Sequence, residues 1–405
     1  MNASETDVKK DQSREIAGKY HFDLYKRYPL TLVKGKGVYA EDSEGNKYLD
    51  ALAGIAVNSL GHCHPNVVQA IQEQAAKLMH VSNFYYNEPQ SRLAKLLAEV
   101  SGLDRVFFCN SGAEAIEGAI KLARKYAFNK GKSGHIIAME NCFHGRTLGA
   151  IAMGKEKYQK GFAPLPAGFD RVPFNDIETL RNRVDDSTVA IILETIQGEG
   201  GIHPVNPGYL HEARKLCDKH DALLILDEIQ CGIARTGQMF AYQHYDVMPD
   251  IVTSAKALGI GFPIGAVLAK EDAAAAFDYG DHGTTYGGNP LACTASIASL
   301  KTIQDEKLAA HAFEMGEYFK NRVMTISHNW PAIKEVRGLG LMIGVDLSFK
   351  GAKVVEEMLK KGVLSNCASD TVIRIVPPLI ITKEELDRLF DILIESIKIV
   401  EKEYE

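Results

Sequence analysis

The sequence predicts an α/β protein: a large domain of mainly parallel sheet covered by helices, joined to a smaller α/β domain. Three observations predict it. Short, continuously apolar runs rich in β-formers recur along the chain. Most of them run into a polar or glycine-containing turn and then a helical pattern. The C-terminal third changes texture, with long helical patterns around short strands. Apolar strands alternating with helices indicate a parallel sheet buried on both faces.

Taken in chain order, the first 55 or so residues contain a strand–turn–strand pattern, GVYAEDSEGNKYLD, in which Ser-Glu-Gly-Asn is the turn signal. Alone this segment is too small for a core, so it must pack on a neighbour. The apolar strands follow at Arg105–Asn110, His135–Glu140, Val189–Glu194, Ala222–Glu228 and Ile264–Ala269. Helical spacing of apolar positions marks Ala113–Ala127 and Tyr209–His220. Long helical patterns are expected over 296–328 and 382–403, around strands at Gly340–Asp346 and Val372–Val376. The expected division is 1–55 as a segment packing with the small domain, 56–298 as the large domain and 299–405 as the small one.

Composition narrows the function. The 405 residues are 46% hydrophobic and 24% charged, as in globular proteins with ample core. The net charge is −6 and no basic block is present, which argues against a nucleic-acid partner. No stretch approaches the roughly 20 apolar residues of a membrane span, and the polar first 20 residues lack the apolar centre of a secretion signal. The seven cysteines are scattered without CxxC or zinc-like spacing. The expectation is a cytoplasmic protein with reduced thiols, no metal and no membrane partner.

In α/β sheets ligands sit at the carboxyl ends of the strands, so the residues after each strand matter most. After RVFFCN comes Ser111-Gly112-Ala113-Glu114, which opens a helix and leaves backbone N–H groups free for an anion; an ordinary serine cap would look the same. The strand ALLILDE ends in Asp227-Glu228, and a buried carboxylate there must meet a cation or a donor. Lys256 follows another short apolar run and precedes a glycine-rich loop, so it is on no obvious solvated face. An anion-binding helix start, an acid and a lysine at three strand ends match the needs of pyridoxal phosphate. The lysine forms the Schiff base, the acid keeps the pyridine nitrogen protonated, and the helix start holds the phosphate.

At this point the chain resembles the class III pyridoxal-phosphate aminotransferases, of fold type I, from about Tyr25 to the C-terminus. Nine segments carry the resemblance in order: GHCHP (61–65), SNFYYNEP (82–89), NSGAEA (110–115), CFHGRT (142–147), ETIQGEGG (194–201), LDEIQCGIARTG (226–237), PDIVTSAKALGIGFPIGA (249–266), HGTTYGGNPLAC (282–293) and IRIVPPLI (373–380). The resemblance implies a small domain formed by both chain ends and a homodimer with shared active sites. It implies Lys256 as the Schiff-base lysine and proton carrier, Asp227 at the pyridine nitrogen, Gln230 at the ring hydroxyl and Phe143 stacked on the ring. Ser111, Gly112 and Ala113 would hold the phosphate, with Thr285 reaching over from the second subunit. Arg146 would bind the carboxylate remote from the reacting amine and Arg374 the α-carboxylate of glutamate. Glu199 would pair with Arg374 when no second carboxylate is present. Thr284 and Tyr25 would line the substrate pocket. The implied substrates are N2-acetylornithine and 2-oxoglutarate or glutamate. Sister specificities (succinyldiaminopimelate, succinylornithine, ornithine, 4-aminobutyrate) differ at the distal end of the pocket; SNFYYNEP favours the acetylornithine pattern over the 4-aminobutyrate one.

Two departures stand out. Ala113 replaces the threonine usual in the phosphate motif, removing one hydroxyl contact, and Thr195 replaces a proline. Other patterns are decoys. His62-Cys63-His64 lacks further ligands nearby, His211-Glu212 lacks the second histidine of a zinc protease, and Asp227-Glu228 follows no phosphate-binding glycine-lysine loop.

Overall fold

The computed structural model describes residues 12–404; the part of the N-terminal expectation that falls on residues 1–11 lies outside the described residues. The chain begins with a meander of β1 (Leu32–Lys36), β2 (Tyr39–Asp42) and β3 (Lys47–Asp50). Asp42 shapes the predicted turn by accepting the N–H groups of Glu44 and Asn46 at 2.8 and 2.9 Å. Next come β4 (Arg105–Cys109), β5 (His135–Met139), β6 (Phe169–Val172) and β7 (Thr188–Glu194). A small hairpin follows, β8 (Ile196–Gln197) with β9 (His203–Pro204), before β10 (Leu223–Asp227), β11 (Ile251–Ser254) and β12 (Gly265–Ala269). The C-terminal part holds β13 (Ile333–Leu339), β14 (Met342–Leu347), β15 (Val363–Leu364), β16 (Asn366–Ala368) and β17 (Val372–Ile375).

The central sheet has seven strands in the order β4-β12-β11-β10-β7-β5-β6. Its strands β7, β10, β11 and β12 are buried at every residue. Alternate side chains enter different cores: Ile191, Leu193, Leu224 and Leu226 join one, and Ala190, Ile192, Leu223 and Ile225 the other. That is the pattern of a sheet covered on both faces.

Two expectations need correction. The run at 264–269 was expected to join a parallel sheet, but β12 is antiparallel to both β4 and β11. The reason is connection length: the short link from Ser254 to Gly265 cannot make the crossover of a dozen or more residues that parallel neighbours require. The pattern over 296–328 is not one helix but two, Pro290–Asp305 and Leu308–Ser327, separated where Lys307 adopts a left-handed backbone with φ +53°. The first packs on the helices Pro65–Ala75 and Glu88–Ser101, the second on β13, and no straight helix reaches both.

Near the C-terminus, β15 pairs in parallel with β3, so a strand from the last fifty residues completes the N-terminal meander. A second four-stranded sheet, β13-β14-β17-β16, is backed by the helix Leu308–Ser327.

Candidate active site

Because β12 alone is reversed, the six other strands of the central sheet present their carboxyl ends along one edge. A cavity of about 330 Å³ opens there, lined by Ser111, Gly112, Ala113, Phe143, His144, Glu194, Asp227, Gln230 and Lys256 among others. Residues separated by up to 145 positions in sequence thus meet because each lies at or just past a strand end.

After β4, Ser111 caps the helix Gly112–Asn129 by accepting the Glu114 N–H at 3.2 Å. The first N–H groups of the helix have no partner within it, and the macrodipole makes the spot attractive to an anion. Two glycines permit the close approach. A Cβ on Gly265 of β12 would fall 2.4 Å from the Ser111 carbonyl oxygen, and one on Gly112 would fall 2.8 Å from Ile229. Ala113 faces Gly145 across a gap a Cβ would close to 3.3 Å, so small residues meet on this wall.

At the end of β10, Asp227 is buried and fully engaged. One oxygen accepts the Ile229 N–H at 3.0 Å and the Thr253 hydroxyl at 3.3 Å; the other lies 2.7 Å from His144 Nδ1. Burial opposes a charge on the His144 ring, but Cys142 and Asp227 outweigh it and hold its pKa well above the ordinary histidine value. His144 therefore presents a proton to Asp227 Oδ2.

Lys256 follows β11 with a left-handed backbone, φ +47°, a strained conformation for a side chain of this kind. Among the described residues its amine makes no hydrogen bond and no ion pair. Burial lowers its pKa, the nearby Arg374 guanidinium adds to the effect, and Glu199, Asp227 and Glu194 oppose it. A lysine depressed in this way offers more of the neutral, nucleophilic amine at a given pH.

Beside the cavity, Arg374 of β17 is almost fully buried. It pairs with Glu199, in the loop joining β8 to β9, and also bonds Gln230 Oε1 at 3.2 Å and Asn366 Oδ1 at 3.0 Å. Burial favours neutral Glu199, yet Arg374, Lys256 and Lys155 hold its pKa below the usual range. Gln230 thus touches both the cavity and the ion pair.

Of the residues expected from sequence, Ser111, Gly112, Ala113, Phe143, Asp227, Gln230 and Lys256 line one cavity, with Arg374 and Glu199 adjoining it. Arg146 is exposed nearby, its guanidinium 5.4 Å from the Phe143 ring centroid. Tyr25, Thr284 and Thr285 do not line this cavity within the single chain. Tyr25 is exposed in the N-terminal segment, and Thr284 and Thr285 border a separate surface depression with Phe84 and Tyr86.

Two residues were missed. His144 sits in CFHGRT between assigned neighbours, and only its contact with Asp227 shows what it does. Glu194 ends β7 in register with Asp227, so the signal that singled out Asp227, an acid at a buried strand end, applied equally to it. Its oxygens accept the N–H groups of Phe143 at 2.9 Å and Gly198 at 3.2 Å. Burial pushes its carboxyl up to about 7, with His144 opposing and Asp227 adding. The Thr195 departure has a use: its hydroxyl donates at 2.6 Å to Glu228, a buried acid that also accepts the N–H groups of Ala241 and Tyr242. His62 and His64 turn to different acids, Asp50 and Glu306.

The family model for class-III aminotransferases matches residues 23–397. A protein named acetylornithine aminotransferase from Methanocaldococcus jannaschii is 55% identical over 391 residues, covering 96% of this chain and 98% of that protein. Among solved structures, the ornithine aminotransferase from Toxoplasma gondii ME49 aligns with a TM-score of 0.94 at 36% identity, covering 97% of this chain and 96% of that one. The acetylornithine aminotransferase from Elizabethkingia anophelis aligns with a TM-score of 0.86 at 35% identity, covering 96% and 98%.

Proposed function

The chain belongs to the class-III aminotransferases, and on that premise we propose that it moves the δ-amino group of N2-acetylornithine to 2-oxoglutarate. The products are N-acetylglutamate 5-semialdehyde and glutamate, in arginine biosynthesis. The observation that carries the chemistry is the Lys256 amine, without a hydrogen bond or ion pair among the described residues, in a cavity whose other walls are an anion-ready helix start and a buried carboxylate 2.7 Å from His144 Nδ1.

These residues fit pyridoxal 5'-phosphate. Ser111 and the N–H groups of Gly112 and Ala113 would hold its phosphate, Asp227 would face the ring nitrogen, Gln230 the ring hydroxyl, and Phe143 the ring face. When bound, the cofactor supplies an electron sink for the carbon bearing the transferred nitrogen. Lys256 Nζ would hold the cofactor in the resting protein and, once the substrate amine has displaced it, would be the free amine placed to carry the proton of that carbon. Arg146 binds the remote carboxylate. With glutamate, Arg374 leaves Glu199 for the second carboxylate; with N2-acetylornithine it returns to Glu199, so no buried cation is left bare.

Thr284 and Thr285 act in the site of a second copy, as does Tyr25, making the protein a homodimer with shared sites. Exposed aromatic side chains near the loop of Thr284 and Thr285 support this. Asn83 bonds the carbonyls of Thr284 and Gly287, tying SNFYYNEP to the 284–287 loop, and Phe84, Tyr85, Tyr86, Tyr279 and Tyr286 stand exposed around them. The seven free thiols support a reducing, cytoplasmic setting. No described helix is long and apolar enough to cross a membrane.

The backbone match to the Toxoplasma protein favours one other substrate, free ornithine; the higher identity to proteins named for acetylornithine favours the first reading. A single half-reaction decides. The cofactor-loaded protein is mixed with N2-acetylornithine, ornithine, N-succinyl-diaminopimelate or 4-aminobutyrate without keto acid, and loss of its visible absorbance is followed. Fastest loss with N2-acetylornithine is expected. Faster loss with ornithine or 4-aminobutyrate overturns the substrate, and no loss with any amine overturns the chemistry.

A further inference from the structure

Arg146 has an unusual set of neighbours. Among the described residues its guanidinium makes no hydrogen bond and no ion pair. It lies 3.7 Å from the ring centroid of Tyr158 and 5.4 Å from that of Phe143. The two rings meet edge to face, centroids 6.2 Å apart and planes at 80°, the arrangement that aromatic quadrupoles prefer. At 3.7 Å the guanidinium is in contact with the Tyr158 ring, well inside the roughly 6 Å over which a cation is drawn to an aromatic face.

The tyrosine is itself held in place. Thr147, the residue after Arg146, caps the helix Leu148–Met153 by accepting the Ala150 N–H at 3.3 Å. The chain then enters a single turn, Glu156–Tyr158. Gln159 Nε2 fastens that turn back onto the helix end, donating to the carbonyls of Ile151, Ala152 and Gly154 at 2.9, 3.3 and 3.1 Å. One short helix therefore carries the arginine before its start and the tyrosine beyond its end. The Tyr158 hydroxyl has no hydrogen bond among the described residues, which leaves the ring face as its contribution.

We propose that Tyr158 is a positioning residue for substrate choice: its ring holds the Arg146 guanidinium in one orientation without neutralising it, so the protein favours amines that carry a remote carboxylate. The physical reason lies in the alternatives. An arginine paired with an acid must break that pair before taking a ligand carboxylate, and a freely rotating one loses side-chain entropy on binding. Stacking on a ring orients the planar fork and leaves its N–H edge open. The inference rests on the proposed function for the role of Arg146 alone.

Two amines test it: N2-acetylornithine, and N-acetyl-1,4-diaminobutane, the same molecule without the carboxylate. The half-reaction is measured with each for the wild type, Tyr158→Phe, and two ring-free variants, Tyr158→Leu and Tyr158→Met, with melting temperatures as the folding check. Affinity for N-acetylnorvaline, which keeps the carboxylate but has no reacting amine, is read by calorimetry. A ring-free variant is expected to lose about two- to fivefold of the preference for N2-acetylornithine, and a similar factor in N-acetylnorvaline affinity, the range for a cation on a ring at an exposed site. The loss comes through half-saturation, with the limiting rate within about twofold; Tyr158→Phe keeps the wild-type values. Ring-free variants that retain the preference overturn the proposal, as does a Phe variant that loses as much as they do. A wild type indifferent to the carboxylate overturns the role of Arg146 first and this inference with it.

Discussion

A desolvated amine costs folding stability wherever it is charged, and at Lys256 burial and the Arg374 guanidinium outweigh the opposing pull of Glu199, Asp227 and Glu194. The Lys256 pKa in the folded chain lies below the lysine value of the unfolded chain, so between the two the unfolded chain binds more protons and stability rises with pH. Below the folded value both states are protonated and the cost is at its full size. Lys256→Met in the cofactor-free protein is therefore expected to melt higher than wild type at pH 7, with the gain shrinking as pH approaches the ordinary lysine value near 10.4. A gain that grows with pH would contradict the assignment. Glu199 gives a second expectation. Glu199→Ala removes the carboxylate from the almost fully buried Arg374, and losing one partner of a buried pair costs about 3–5 kcal/mol. Its half-reaction with N2-acetylornithine is expected to slow by at least about tenfold, while glutamate, which brings its own carboxylate, is far less affected. Equal slowing of both amines would refute the exchange of partners at Arg374.

Elements matter here through their ends. The helix Gly112–Asn129 begins against the first residue of β12, and that contact depends on Gly265 having no side chain. Gly265→Ala places a Cβ 2.4 Å from a backbone oxygen, so the strand or the helix start must move. Overpacking of this kind costs about 1–3 kcal/mol. The variant is expected to unfold at lower urea concentration and to bind pyridoxal phosphate more weakly, both measurable in one titration series. Unchanged cofactor affinity in a destabilised Gly265→Ala would show that the helix start does not hold the phosphate. The antiparallel β12 belongs to the same logic. It turns its first residue, not its last, toward the site, which is why the glycine-rich loop after Lys256 returns along the cavity wall.

For the whole molecule, a single chain leaves the loop of Thr284 and Thr285 outside its own cavity and surrounds it with exposed aromatic rings. Large apolar patches on soluble proteins mark interaction surfaces. Sedimentation equilibrium is expected to show a dimer, and Tyr86→Asp, a charge placed in the patch, to shift it toward monomer. Specific activity of the variant should then fall on dilution. A Tyr86→Asp monomer as active as the wild type would show that each chain completes its own site.

The sequence by itself singled out most of the residues that the fold gathers at one cavity, and the kind of sheet that carries them. Apolar strands followed by turns are local features; Asp227 ends one, and Ser111 and Lys256 each stand two residues past another. The link into β12 was in the sequence too, but the expectation of a parallel run overlooked it: the ten residues 255–264 cannot make a parallel crossover. The break at Lys307 carried no glycine or proline signal and came from packing on two different partners. Only tertiary structure decided the rest, because it depends on contacts between residues distant in sequence. His144 acquires its role from an oxygen 83 positions away, Arg374 from Glu199, 175 positions away, and Tyr158 from the face it turns to Arg146. Spacing along a chain sets which residues can end a strand; the register of neighbouring strands and the return of each loop set which of those residues touch.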